Sequence, residues 1–136
     1  MKLVLDTSFL IELLKGNKRA ISALEERKEK AVDIAVSAFT VYELMVGAYY
    51  LWKKYDDPRE LARVEHLLTP LTIIPITEDV ALKAAKIQAM LKLEGVEMRD
   101  ADIIIACTED GEVLTFDKDF EPLKKLGFNI TILKRT

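Results

Sequence analysis

Short, largely apolar runs recur along this chain, and the segments between them carry helical periodicity. That alternation narrows the possible folds more than any other feature. Runs at 3–5, 33–36, 71–74, 113–115 and 130–133 read as strands, the first of them buried. The first is Leu3-Val4-Leu5, followed by an acid, two hydroxyls and the helical spacing of Phe9, Leu10, Leu13 and Leu14. Strands that alternate with helices pair in parallel and are covered on both faces. Right-handed crossovers then set their order. The expectation is an α/β fold, a single domain over residues 1–136, with a central parallel sheet of about four to five strands.

Local signals mark the helix ends. Asp6-Thr7-Ser8 offers N-cap chemistry, Gly16-Asn17 closes the first helix, and a second, charged helix follows to about Lys30. Ser37 caps a long helix with an expected inner stripe of Val41, Leu44, Met45, Ala48 and Trp52. Asp57-Pro58 opens another, with Leu61, Val64, Leu67 and Leu68 inward. Thr77 starts a helix expected to bury Ala81, Leu82, Ala85, Ile87 and Leu91, and Gly95 breaks it. A helix begins near Asp100, Asp110-Gly111 turns, and a short helix over 120–126 stops at Gly127.

Composition excludes several classes. Half the residues are apolar and 32% are charged, which is globular rather than disordered. Cys107 is the one cysteine, so no disulfide framework forms within the chain and a reducing cytoplasm is expected. The N-terminal apolar run is broken by Asp6 and Glu12, which excludes a signal peptide or a membrane span there. With 23 acids against 20 bases, no overall attraction to nucleic acid exists.

Function therefore rests on where the acids fall. Asp6 ends the first strand and Asp117 lies just past the strand at 113–115, so both sit on the rim where open α/β sheets bind ligands. Glu43 follows the second strand, off the apolar stripe of its helix, with Gly47 leaving open space one turn on. Asp102 precedes five apolar residues. Converging carboxylates repel, and a cation relieves the repulsion. Oxygen donors without His or Cys select Mg²⁺ or Mn²⁺. Such an ion activates water and steadies a phosphodiester during in-line displacement. Taken singly, each acid has a plainer role: Asp6 as a cap, Glu43 as a solvated helix residue, Asp117 as a turn residue. Asp100 and Asp119 compete for the places of Asp102 and Asp117. His66 reads as a structural or surface residue of its helix, and Cys107 as core.

These residues resemble the PIN-domain family, and within it the VapC toxins of toxin–antitoxin pairs. The resemblance runs through Asp6-Thr7-Ser8, through Ser37 and Glu43-Leu44-Met45-Val46-Gly47, through Asp102-Ile103-Ile104-Ile105-Ala106-Cys107, and through 113–120 with Asp117 and Asp119. Cys107 departs mildly from the pattern, which more often has Ala. The resemblance implies an α/β/α sandwich, divalent-metal ribonuclease activity on RNA, a homodimer and a small antitoxin partner. Asp6, Glu43, Asp102 and Asp117 would be its catalytic and metal-holding residues.

Thr7, Ser8 and Thr115, with Asp119, are candidates to hydrogen-bond or assist the ligand carboxylates. Lys53, Lys54, Arg59 and Arg63 could take RNA phosphates, although a solvated helix face is their simpler reading. Tyr42, Tyr49, Tyr50 and Trp52 are expected in the core or in dimer contacts. The competing functions are a Mg²⁺-dependent phosphoryl-transfer protein of the haloacid-dehalogenase or receiver type and a catalytically silent interaction module. The first wants a further acid near Asp6, where Ser8 stands.

Overall fold

The computed structural model describes residues 2–136, in which five parallel strands form one sheet of order β3-β2-β1-β4-β5. The strands are β1 (Lys2–Leu5), β2 (Asp33–Ser37), β3 (Thr72–Ile74), β4 (Glu112–Thr115) and β5 (Ile130–Ile132). Between β1 and β2 come α1 (Thr7–Leu14) and α2 (Lys18–Lys28), and between β2 and β3 come α3 (Ala38–Tyr55) and α4 (Arg59–Leu68). Next are α5 (Glu78–Leu93) and α6 (Asp100–Cys107) before β4, then a 3₁₀ turn (Lys118–Phe120) and α7 (Glu121–Lys125) before β5.

The strand pleat sorts the core into two halves. Leu3, Leu5, Val36 and Leu114 face Phe9, Leu10, Leu44, Val64 and Leu68 of α1, α3 and α4. Val4, Val113 and Ile130 face the other way, onto Val80, Leu91, Ile103, Phe120 and Leu123 of α5 to α7. The result is the three-layered α/β/α sandwich expected of the sequence. Phe9 is fully buried and stacks on Phe116 with ring centroids 5.8 Å apart. Burying such a ring stabilises the fold by about 2–3 kcal/mol. Gly111 lies where β4 comes alongside β1: a Cβ there would stand 2.3 Å from the Lys2 carbonyl oxygen, so only glycine fits.

The chain steps from β1 outward to β3, then returns to lay β4 on the opposite side of β1. The crevice at the carboxyl ends of β1 and β4 is therefore a topological switch point.

Three helix-face expectations need correction. On α5 the buried residues are Val80, Ala84 and Leu91, whereas Ala81, Leu82 and Ala85 are exposed. The helix takes its rotation from packing on α6, and its many alanines give the sequence little contrast between faces. On α3, Ala48 is the last buried residue, and Trp52 is 39% exposed. Tyr42, Tyr49 and Tyr50 are likewise exposed, so the core half of their expected role is overturned. Among the described residues no helix is long and apolar enough to cross a membrane.

Candidate active site

Asp6 is the residue on which the crevice is built. It leaves β1 with extended backbone and caps α1, where its Oδ1 accepts the Phe9 amide at 2.8 Å. The cap places the carboxylate at the positive end of the helix. Ser8 donates its hydroxyl to the same carboxylate, at 2.9 Å and 3.0 Å from its two oxygens, and Thr115 donates to Oδ2 at 2.7 Å. Each hydroxyl also accepts a backbone amide: Ser8 that of Phe116 at 3.0 Å, Thr115 that of Asp117 at 2.9 Å. The loop after β4 is thereby tied to the acid after β1, and the Asp6 rotamer is fixed from three sides.

Only 3% of Asp6 is exposed. Burial pushes its carboxyl up to about 6, against the opposing pull of Thr115, the Phe9 amide and Ser8, and the charge of Asp102 adds to the rise. The carboxylate is ionised at neutral pH, at a cost that a nearby cation would remove.

The other acids arrive on three different elements. Glu43 projects from the second turn of α3, with its Oε1 accepting the Thr7 hydroxyl at 2.6 Å. Asp102 sits in the first turn of α6 and is 2% exposed. Burial raises its carboxyl too; Arg99 opposes that shift, while Asp117 and Glu43 reinforce it. Asp117 caps the 3₁₀ turn by accepting the Asp119 amide at 2.9 Å. Asp119 itself is exposed at the margin. Asp100 turns aside, accepting a hydrogen bond from Gln88 of α5 at 2.9 Å. Mutual repulsion thus links Asp6 to Asp102, and Asp102 to Asp117 and Glu43.

Sequence reasoning missed Arg99. Its Nη2 lies 2.8 Å from Asp102 Oδ1 and its Nε 3.3 Å from Oδ2, a forked pair, while Nη1 is 3.9 Å from Glu43. Asp102, Glu43 and Asp117 together hold the guanidinium above its ordinary range. The only sequence signal was its i,i+3 spacing from Asp102 at a helix start.

Other candidates lie elsewhere. Arg59 pairs with Asp57 at 2.8 Å, Arg63 binds Glu60 and the Leu14 carbonyl, and Lys53 and Lys54 lie over Trp52, Tyr50 and Tyr55. His66 is exposed and Cys107 buried.

The donor set suits a hard cation, because every available group is a carboxylate or hydroxyl oxygen. Among the described residues, no group of three or more His, Cys, Asp or Glu side chains is gathered so as to hold an ion. Arg99 stands between Asp102 and Glu43 instead. Mg²⁺ needs only one or two carboxylates because it keeps several waters. The residues therefore fit such an ion once Arg99 yields Asp102.

The PIN domain family model matches residues 3–126. Ribonuclease VapC2 of Haemophilus influenzae is 32% identical over 115 residues, which cover 84% of this chain and 83% of that protein. The toxin–antitoxin complex from Klebsiella pneumoniae contains a chain that is 28% identical, with a TM-score of 0.71 and 96% of each chain covered. VapBC2 from Rickettsia felis, bound to a DNA fragment from its promoter, superposes with a TM-score of 0.83 at 19% identity, covering 98% of this chain and 100% of the other.

Proposed function

Since the chain belongs to the PIN-domain family, we propose that it is a divalent-metal-dependent endoribonuclease, the toxin of a toxin–antitoxin pair. The observation that carries this reading is the buried Asp6 carboxylate at the switch point, fixed by three donors and facing further acids. The metal is Mg²⁺ or Mn²⁺, with Asp6 and Asp102 as main ligands and Glu43 and Asp117 assisting directly or through water. When bound, the ion supplies a polarised water and a counter-charge for the phosphodiester. The chain's own groups do the positioning. Ser8, Thr115 and the Phe9 amide hold Asp6 in one orientation. Thr7 aims Glu43, and the Asp119 amide steadies Asp117. The fixed orientation of Asp6 spares the reaction that part of the reorganisation cost, while Asp102 becomes available only when Arg99 leaves it.

An apolar cleft of about 720 Å³ runs beside Glu43 and Gly47 between α1, α3 and α4, lined by Ile11, Leu14, Leu44 and Val64. It is the proposed seat of a small antitoxin, which would send an Arg or Lys toward Asp6, Glu43 and Asp102. A planar guanidinium there would relieve the same repulsion as the metal. The exposed aromatic residues of α3 suit contacts between copies in a homodimer, and the site of action is cytoplasmic RNA. The phosphoryl-transfer alternative is not favoured, because Asp6 is followed at two residues by Ser8 and the matched relatives are ribonucleases. Single-stranded or looped RNA incubated with the purified chain should be cut in Mg²⁺ or Mn²⁺ and left whole in EDTA. Metal-independent cutting would reject the reading.

A further inference from the structure

Arg99 presents a contradiction that the proposed reaction does not use: a cation already sits on the acids that are to hold the metal. Its forked bond to Asp102 and its approach to Glu43 satisfy the carboxylates. Yet its side chain is 61% exposed, against 3% for that of Asp102. The acid is buried and the arginine is mostly solvated. A flexible, half-solvated stem allows the guanidinium to turn without disturbing the core.

It has somewhere to turn to. Arg99 and Asp102 line one wall of a cleft of about 800 Å³, and Lys92 of α5 and Lys118 of the 3₁₀ turn line it as well. Glu97 and Asp119 share the lining, so with Asp102 the cleft carries three acids against the three cations Lys92, Arg99 and Lys118. The cleft is thus balanced in charge, whereas the whole chain carries −3. A strand whose scissile phosphate lies at the acids has neighbouring phosphates within reach of such a wall.

We propose that Arg99 exchanges partners: it neutralises Asp102 and Glu43 in the metal-free protein, yields Asp102 to a divalent cation, and then binds an adjacent RNA phosphate from the cleft. This rests on the metal-site reading above. Arg99 is thus a competitor of the metal and a ligand of the substrate, which makes its removal act in opposite directions on the two. Losing a charge-assisted fork should tighten metal binding by roughly fivefold to tenfold. Losing one phosphate contact should weaken RNA binding by a similar factor and reduce the slope of log affinity against log salt by about 0.7.

The test uses the full chain and three proteins: wild type, Arg99→Met, which keeps the apolar stem, and Arg99→Lys, which keeps the charge without the fork. Free Mn²⁺ is followed by electron paramagnetic resonance during titration. Binding of a fluorescent 2′-O-methyl RNA, shown on a denaturing gel to stay intact through the titration, is followed by anisotropy in Mn²⁺. The expected result is tighter Mn²⁺ and weaker RNA binding in Arg99→Met, with RNA affinity largely restored in Arg99→Lys. Equal or weaker Mn²⁺ binding by Arg99→Met, while the wild type binds Mn²⁺ normally, overturns the exchange and leaves the metal-site reading intact. Tighter Mn²⁺ with unchanged RNA affinity also overturns it. A wild type that takes up no Mn²⁺ brings down both.

Discussion

Asp6→Asn should stabilise the metal-free protein while removing its function. Asparagine keeps the size of the side chain, and its carbonyl still accepts the Phe9 amide that Asp6 accepts at 2.8 Å. It removes a charge that burial disfavours, since the folded carboxyl is pushed up to about 6 from an ordinary value of 3.8. The raised value means that the folded form holds a proton that the unfolded form has lost between those two pH values. Stability therefore falls as pH rises through that window, and the deficit is complete above it. Its size is about 3 kcal/mol at pH 8 and about half of that at pH 5. The amide nitrogen in place of Oδ2 no longer accepts from Thr115, while Ser8 still donates to the retained carbonyl, and the lost bond takes back about 1 kcal/mol. The net gain at pH 8 is then about 2 kcal/mol, or roughly 6 °C in melting temperature for a domain of this length. Circular dichroism melts in EDTA at pH 5 and pH 8 measure it. The gain should shrink strongly at pH 5. A variant that melts below the wild type at pH 8, or by the same margin at both pH values, would refute the burial argument.

Three further outcomes follow from the same contacts. Thr115→Val removes the 2.7 Å donor to Asp6 and the acceptor of the Asp117 amide, so Mn²⁺ affinity by calorimetry should fall roughly tenfold. Glu12 is 5% exposed; burial works to raise its carboxyl, but Arg135, Lys15 and Asn17 outweigh it and hold it below the ordinary range. A depressed folded value stabilises above the unfolded one and is lost as pH falls, so Arg135→Ala should cost about 1–3 kcal/mol in urea unfolding at pH 7, with the gap to wild type closing in acid. In a complex with the proposed antitoxin, Ala at every basic residue of that protein's C-terminal tail should restore ribonuclease activity with only a modest loss of affinity. Inhibition that stays complete would favour steric blocking of the cleft by α1, α3 and α4.

The parts of the fold set by local rules were readable in the sequence. Asp6, Ser37 and Thr77 each cap the helix that follows by a side-chain bond to its first turn, as expected of the sequence; Asn17, expected only to close α1, also caps α2. The inner strands β1 and β4 announced themselves because parallel strands covered on both faces carry little polarity, whereas the edge strand β3 is largely exposed. What escaped was decided by tertiary contact. The rotation of α5 follows its packing on α6; on α3, Tyr42, Tyr49 and Tyr50 are exposed while Leu44 and Ala48 are buried, and Trp52 lies beyond the last buried residue. At the candidate site, the acids were visible through their neighbours in sequence, and Ser8 and Thr115 were expected to hydrogen-bond them; which acid each one meets was not visible, because Thr115 joins Asp6 and Ser8 across more than a hundred positions. Arg99 was hidden for another reason. Its partners are the acids themselves, and a single arginine before a helix carries no pattern.

The most direct test compares RNA cleavage by wild type and Asp6→Asn, both shown to be folded, in Mn²⁺ and free of contaminating nuclease. The wild type should cut the RNA internally, and Asp6→Asn should leave it intact while binding it. Equal cleavage by the two proteins would place the chemistry away from the crevice between β1 and β4 and contradict the account.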